Sequence, residues 1–272
     1  MGSGAPSQGG VAVLPADNEH FERLRAAAEA SGALVRSFGI GPVADMKLSA
    51  GGAATRFGPT EIVAKYMDPD TGTEERFSFV YVLPGKHQAM NAIAVLEVGR
   101  ALNIHPSRVR HALELLAPVA GRGERAEYHR SGESIILVDE SYNANPLSMA
   151  AALDAIYGAT RPMTEVRRIA VLGDMRELGE ASDQLHRELK GPVESAQITK
   201  VFACGPHMRA LWDVLPDNIR GAYAEKSTDL IAPFLAAIQP GDVIMIKGSL
   251  GTRMAPVVEA VKKHLTEWAD KK

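Results

Sequence analysis

The chain has 272 residues, 46% of them apolar and 23% charged, with a formal net charge of −3. Such a length supports one large or two ordinary globular domains, and two is the expectation. The charge gives no overall attraction to nucleic acid or to an anionic membrane, so any phosphate contact must be local and the expected partners are small molecules. Cys204 is the single cysteine, which excludes an internal disulfide framework and a cysteine-built metal cluster and suits a reducing, cytoplasmic setting. No apolar run reaches the ~20 residues that a membrane-spanning helix needs. Residues 1–8 are short, polar and rich in glycine and serine, and are set aside as an added or unstructured lead-in.

Residues 11–14 read as a strand. Asp17 or Asn18 then caps a helix whose apolar positions are Phe21, Leu24 and Ala28 and which Gly32 ends. Residues 34–38 read as a second strand, giving a βαβ unit in a small sheet with open edges. Between residues 45 and 83 the texture becomes antiparallel: alternating runs at 61–66 and 77–82 flank the turn-forming Asp68-Pro69-Asp70-Thr71-Gly72. Pro84-Gly85 opens a helix whose apolar face is read as Met90, Ile93, Ala94, Val98, Ala101 and Leu102. Pro106 and Ser107 begin another helix, which runs to the region of Leu116.

Residues 118–123, with two glycines and little apolar content, mark the expected boundary between domains at 9–118 and 119–272. Beyond it, apolar strands at 135–138, 169–172, 201–203 and 243–246 alternate with helices at 146–157, 182–189, 206–215, 228–238 and 254–268. Pro192 should end or kink the helix before it. Regular alternation of this kind predicts an α/β, Rossmann-like, doubly wound sheet with ligands at the C-terminal ends of its strands.

The most specific segment is Asp139-Glu140-Ser141-Tyr142-Asn143-Ala144-Asn145-Pro146, which lies between a strand and a helix. Carboxylates and amides there can bind hydroxyls and amines, and free N–H groups at the helix start favour anions. Asn145 and Pro146 also suit plain helix capping. Adjacent Asp139 and Glu140 face opposite ways on an extended backbone, so only one of them readily meets a ribose; Asp139 is the first choice and Glu140 the rival. His87 and Asn91, four residues apart on one helix face, suit an adenine edge or a phosphate. Arg122 lies between two glycines in the hinge, where a guanidinium can pair with phosphate. Asp174 follows a strand and can hold an ammonium, while Lys247, before Gly248 and Ser249, can neutralise a carboxylate or phosphate.

Taken together these segments resemble the Mur ligases, and the MurF group in particular. The octapeptide from Asp139 is similar to the signature opening their C-terminal domain. Leu172-Gly173-Asp174-Met175-Arg176-Glu177-Leu178-Gly179, followed by His186, is similar to the second signature, and Lys247-Gly248-Ser249-Leu250-Gly251-Thr252-Arg253-Met254 to the third. Upstream, Gly85-Lys86-His87-Gln88-Ala89-Met90-Asn91-Ala92 resembles a segment late in the central ATPase domain, and Gly121-Arg122-Gly123-Glu124 the interdomain link. Gln88 stands where MurF chains often carry Asn.

The resemblance implies a partial central ATPase domain followed by the complete Rossmann-like C-terminal domain. It implies an enzyme that uses ATP and Mg²⁺ to join D-Ala-D-Ala to UDP-N-acetylmuramoyl tripeptide through an acyl phosphate, in peptidoglycan synthesis. His87, Asn91, Arg122, Asp139 and Glu140 are then the nucleotide-side residues, and Tyr142, Asn143, Asn145, Asp174, Lys247 and Ser249 the substrate-side ones. The phosphate-cradling run G-x-x-x-x-G-K-[ST] does not occur in the 272 residues. The chain is therefore expected to be a part of such an enzyme, without a complete catalytic set, a metal site or a tightly held cofactor of its own, and inactive alone. The intact enzyme is expected to be a monomer, and pairing through an open sheet edge is the expected route to a dimer of the shorter chain. The alternatives are a related ligase similar to folylpolyglutamate synthase, which His87-Gln88 favours, and a non-catalytic Rossmann-like binding module.

Overall fold

The computed structural model describes residues 9–51, 60–68, 71–82, 85–116, 120–161, 163 and 165–271. The chain divides into two compact units, residues 1–117 and 118–272, each with its own sheet and core.

In the first unit β1 (Val11–Pro15), α1 (Phe21–Ala30) and β2 (Leu34–Gly39) form a βαβ unit with parallel strands. β3 (Met46–Ala50) runs parallel to β2 and antiparallel to β4 (Thr60–Met67), and β4 pairs antiparallel with β5 (Glu74–Tyr81), so the sheet order is β1-β2-β3-β4-β5. Period-2 alternation decides the faces: Met46, Leu48, Ile62, Ala64, Phe79 and Tyr81 are buried on one side, against α2 (Lys86–Ala101) and α3 (Pro106–Glu114). Part of the expected hairpin turn, Pro69 and Asp70, lies outside the described residues, as does Pro84.

Two local expectations for this unit are corrected. Neither Asp17 nor Asn18 caps α1 in the expected way: its N-cap is His20, without a side-chain bond. The Asp17 carboxylate instead accepts from the N–H groups of Ile40 (2.7 Å) and Gly41 (2.9 Å), fastening the segment after β1 to the one after β2. Phe21 alone is buried in α1, and Leu24 is exposed. In α2 the buried face is Ala89, Ala92, Ile93 and Leu96, while Val98 and Leu102 are exposed. The shift follows from two polar or small residues that apolar periodicity ignores. Glu97 is fully buried because Arg36 and Arg100 both bond its carboxylate, at 3.2 and 2.8 Å. Gly99 is buried because Val109 of α3 stands 2.5 Å from where a Cβ would be.

The second unit carries a six-stranded sheet of order β10-β9-β8-β11-β7-β6. Its strands are β6 (Glu124–Arg130), β7 (Glu133–Glu140), β8 (Arg167–Gly173), β9 (Lys200–Cys204), β10 (Arg220–Ala224) and β11 (Asp242–Lys247). All neighbours are parallel except the β6–β7 hairpin. The helices are α4 (Pro146–Thr160), α5 (Ser182–Glu188), α6 (Lys190–Ser195), α7 (Met208–Trp212), α8 (Ser227–Leu235) and α9 (Ala255–Asp270). One core cluster joins Ile135, Leu137, Ile169, Val171, Ile244 and Ile246 of the strands to residues of α8 and α9.

The fold is the expected α/β doubly wound arrangement, with two strands that the apolar pattern did not show. β6 is a charged strand, Glu-Arg-Ala-Glu-Tyr-His-Arg, paired to β7 through Ser131 and Gly132, both at positive φ (50° and 86°), as a two-residue hairpin requires. β10 is the opposite edge strand and is nowhere fully buried. The helix before Pro192 ends, as expected, at Glu188, and Pro192 itself lies in the first turn of the next helix, α6, where its missing N–H costs little.

Candidate functional site

Parallel strands of a doubly wound sheet deliver their C-terminal ends to one rim, where helix starts also gather. In the second unit that rim is built from the loops after β7, β8 and β11.

The β7 loop begins with two carboxylates that alternation sends to opposite sides. Asp139 is 4% exposed, and its two oxygens accept from the N–H of Ser141 (3.0 Å) and of Gly121 (3.1 Å). Tyr142 in turn donates its N–H to the Gly121 carbonyl at 3.0 Å, so residues 121 and 139–142 form a closed ring of hydrogen bonds. Gly121 has φ +75°, and a Cβ there would lie 3.0 Å from Tyr142 atoms, so the ring needs glycine on both counts. Glu140 points the other way, with Oε2 3.5 Å from Nζ of Lys247. Burial pushes the Glu140 carboxyl up and the Lys247 ammonium down, and each charge partly offsets the shift of the other.

Further along, Asn143 caps its own neighbour, its Oδ1 accepting from Ala144 N–H at 2.9 Å. Asn145 starts α4 through a capping box: its Oδ1 accepts from Ser148 N–H (2.8 Å), while Ser148 Oγ accepts from Asn145 N–H (3.0 Å), with Pro146 in the first turn.

After β8, the Asp174 carboxylate is 1% exposed and accepts from the N–H groups of Met208 (2.8 Å) and His207 (3.4 Å) at the start of α7. His186 is also fully buried. Its Nε2 accepts from Met175 N–H at 2.9 Å and its Nδ1 lies 2.7 Å from the Ser182 carbonyl, which fixes a neutral ring; burial lowers its pKa. Sequence reasoning gave His186 no role, although its place four residues after Ser182 in a helix was the available signal.

The three loops meet. Lys247 Nζ donates to the Asn143 carbonyl at 2.9 Å. Ser249 Oγ donates to the Ala144 carbonyl (3.3 Å) and accepts from Arg176 N–H (3.0 Å), and Ser249 N–H donates to the Asp174 carbonyl at 3.1 Å. Thr252 Oγ1 donates to the same Asp174 carbonyl at 3.0 Å. A cavity of about 170 Å³ opens beside this knot, lined by Gly121, Tyr142, Leu250, Arg253 and Lys262 among others.

Of the candidate residues, Asp139, Glu140, Tyr142, Asn143, Asn145, Asp174, Lys247 and Ser249 therefore gather at one rim. Arg122 joins them, its guanidinium stacked 4.3 Å above the exposed Tyr142 ring. His87 and Asn91 belong to the first unit, on the opening turns of α2, with Asn91 exposed.

Residues 121–250 match the family described as Mur ligase, glutamate ligase domain. The chain is 30% identical over 198 residues to a UDP-N-acetylmuramoyl-tripeptide--D-alanyl-D-alanine ligase of Bacillus subtilis, which covers 69% of this chain and 40% of the relative. The Escherichia coli ligase of that name is 31% identical over 186 residues, 68% of this chain and 39% of its own length. Through residues 121–250 the chain belongs to the Mur ligase family. The fold agrees across its length: a MurF ligase from Thermotoga maritima solved with ADP superimposes with a TM-score of 0.73 over 97% of this chain and 55% of that one, at 22% identity. A MurF of Acinetobacter baumannii gives 0.75 over 94% of this chain and 52% of that one, at 21% identity. This Mur ligase chain spans about 40% of the length of the curated relatives it matches.

Proposed function

We propose that this chain is the acceptor-side part of an ATP-dependent ligase that joins D-Ala-D-Ala to UDP-N-acetylmuramoyl tripeptide in peptidoglycan synthesis. In this reading residues 9–118 are the C-terminal part of the central domain and residues 119–272 the C-terminal domain. The observation that carries it is the meeting of the three signature loops through Lys247, Ser249 and the carbonyls of Asn143, Ala144 and Asp174. The reaction proposed is that of the D-alanyl-D-alanine ligases to which the chain is similar.

Amide formation through an acyl phosphate needs a dry, pre-shaped pocket, because water would hydrolyse the intermediate. The rim supplies shape more than reacting groups. Asp139 and Asp174 spend their oxygens on backbone N–H groups, and Asn145 spends its side chain on α4, so these three position the loops. The exposed groups left to touch ligands are Tyr142, Asn143 and Arg122, with Glu140 and Lys247 at the base. Arg122, released from Tyr142, is the group for phosphate, with His87 and Asn91 assigned to the nucleotide. ATP supplies the phosphoryl group that activates the carboxylate. Among the described residues no cluster of three or more His, Cys, Asp or Glu side chains is placed to hold a metal ion. Among them also, no helix is long and apolar enough to cross a membrane.

Titration calorimetry of the whole chain with D-Ala-D-Ala tests the assignment. Saturable binding that Tyr142→Ala weakens is the expected result, together with no ATP turnover by the 272 residues alone. Absence of dipeptide binding to both this chain and a longer parent would sink the acceptor-side reading.

A further inference from the structure

Among the described residues His186 is the one histidine that is fully buried. Its bonding fixes where its proton sits. Met175 N–H can only donate, so Nε2, 2.9 Å away, must offer a lone pair; Nδ1 then holds the ring's single proton and donates it to the Ser182 carbonyl at 2.7 Å. The ring thereby ties the loop after β8 to α5. The next residue of that loop, Arg176, gives its N–H to Ser249 Oγ at 3.0 Å, so one short segment is held by α5 on one side and by the loop after β11 on the other.

A proton on Nε2 would turn that acceptor into a donor facing a donor. The titratable groups that face the ring are Asp174 after β8, Asp183 on α5 itself and His207 before α7. His207 is stacked on the ring with centroids 5.6 Å apart, and its Nδ1 is bonded to Asp183 Oδ1 at 2.7 Å. Asp183 is thus spent on His207, and a charge on His207 opposes a second one beside it. The remaining carboxylate is that of Asp174, whose Oδ1 lies 3.9 Å from Nε2 and accepts from Met208 N–H at 2.8 Å. A protonated ring therefore reaches an anion only by leaving Met175 and turning toward Asp174.

We propose that His186 is an acid-sensitive latch: when it takes up a proton, its ring exchanges Met175 N–H for the Asp174 carboxylate, and the loop that carries Met175 and Arg176 is untied from α5. Burial lowers the pKa of the ring, so the latch is closed at neutral pH and opens only below the ordinary histidine value of about 6.5. Below that value the closed form binds fewer protons than the opened one, so the closed loop loses stability as pH falls. The latch stands on hydrogen-bond geometry and does not depend on the ligase reading.

Amide hydrogen exchange of the whole chain, followed by NMR from about pH 7.5 to about pH 5 and corrected for the intrinsic rate, is the test. Protection of the Met175 amide should fall by up to about tenfold per pH unit below about 6.5, while Val171 and Met245 in the sheet keep theirs. His186→Gln keeps an acceptor and cannot take up the proton, so it should make Met175 protection flat; His207→Gln should leave the fall in place. NMR titration of the His186 ring in the parent should show it charging below about 6.5, which keeps the test decisive if His186→Gln does not fold. Met175 protection independent of pH, a fall shared by Val171, or a His186 titration at or above the ordinary value overturns the proposal. So does a pH dependence that survives in His186→Gln or vanishes in His207→Gln.

Discussion

Lys247 reaches from the end of β11 to the carbonyl of Asn143, 104 residues earlier in the chain, at 2.9 Å, and is itself almost wholly buried. Its second partner is the Glu140 carboxylate. Lys247→Met should therefore cost about 3 kcal/mol in denaturant unfolding, the usual penalty for stranding one member of a buried pair. Combining it with Glu140→Gln should cost less than the sum of the two single changes. Strict additivity in that double-mutant cycle would show that the two side chains are not coupled.

Asp139 holds Gly121 to the loop after β7 through two backbone N–H groups. Asp139→Ala should destabilise the second unit by about 2 kcal/mol, since hydrogen bonds to a charged acceptor are the stronger kind. Hydrogen exchange should quicken at Gly121 and Ser141 before it does elsewhere in the sheet. Unchanged protection at both amides would contradict the geometry.

The Asp174 carboxylate is packed against Gly205, which has φ +112° and whose Cβ, if it had one, would lie 2.4 Å from Asp174 Cγ. Gly205→Ala should displace the carboxylate from Met208 N–H and lower the unfolding free energy by about 3 kcal/mol, combining backbone strain with a lost buried hydrogen bond. Thermal unfolding measures it. A shift in midpoint no larger than that of a surface substitution would reject the contact.

Asp242, at the start of β11, is buried, and burial pushes its carboxyl up to about 6 despite the Gln239 N–H and the nearby Arg167. Below pH 3.8 the group is protonated in both the folded and the unfolded chain and imposes no penalty. Between 3.8 and 6 the unfolded chain ionises first, so stability falls as pH rises; above 6 the full penalty is present. The difference in unfolding free energy between the parent and Asp242→Asn should accordingly favour the parent more at pH 4 than at pH 7. A difference that does not change with pH would refute the shift.

Cys204 is fully buried, and burial pushes its thiol up to about 12. Native chain at pH 8 should resist iodoacetamide and become labelled only as denaturant opens the sheet, because the thiolate is the reactive form. Rapid labelling without denaturant would place the thiol outside the core.

Four strands of the second unit, β7, β8, β9 and β11, were legible because each is a short, largely buried apolar run, such as Ile169-Ala170-Val171-Leu172; the parallel edge strand β10, which is nowhere fully buried, was not. β6 was not, since an edge strand of alternating charge follows no apolar pattern, and its hairpin depends on Ser131 accepting a positive φ. The face of α2 was misjudged because Glu97 is buried by ion pairs and Gly99 by close packing, neither of which hydropathy registers. At the rim, the candidates drawn from the sequence are brought together by the fold, but their hydrogen bonds were not legible. Residue type marks Asp139 and Asp174 as potential ligands, and only coordinates show both oxygens of each occupied by backbone donors from elsewhere in the chain.

The knot at the rim is tied largely to main-chain carbonyls: those of Asn143, Ala144 and Asp174 receive Lys247, Ser249 and Thr252. Every residue type offers that same oxygen, so the side chain at position 143 can be exchanged while the anchorage of its loop is kept. A scaffold fastened in this manner separates the holding of shape from the chemistry the loop presents, and a library varied at Asn143 and Tyr142 would change the exposed surface of the rim without first having to rescue folding.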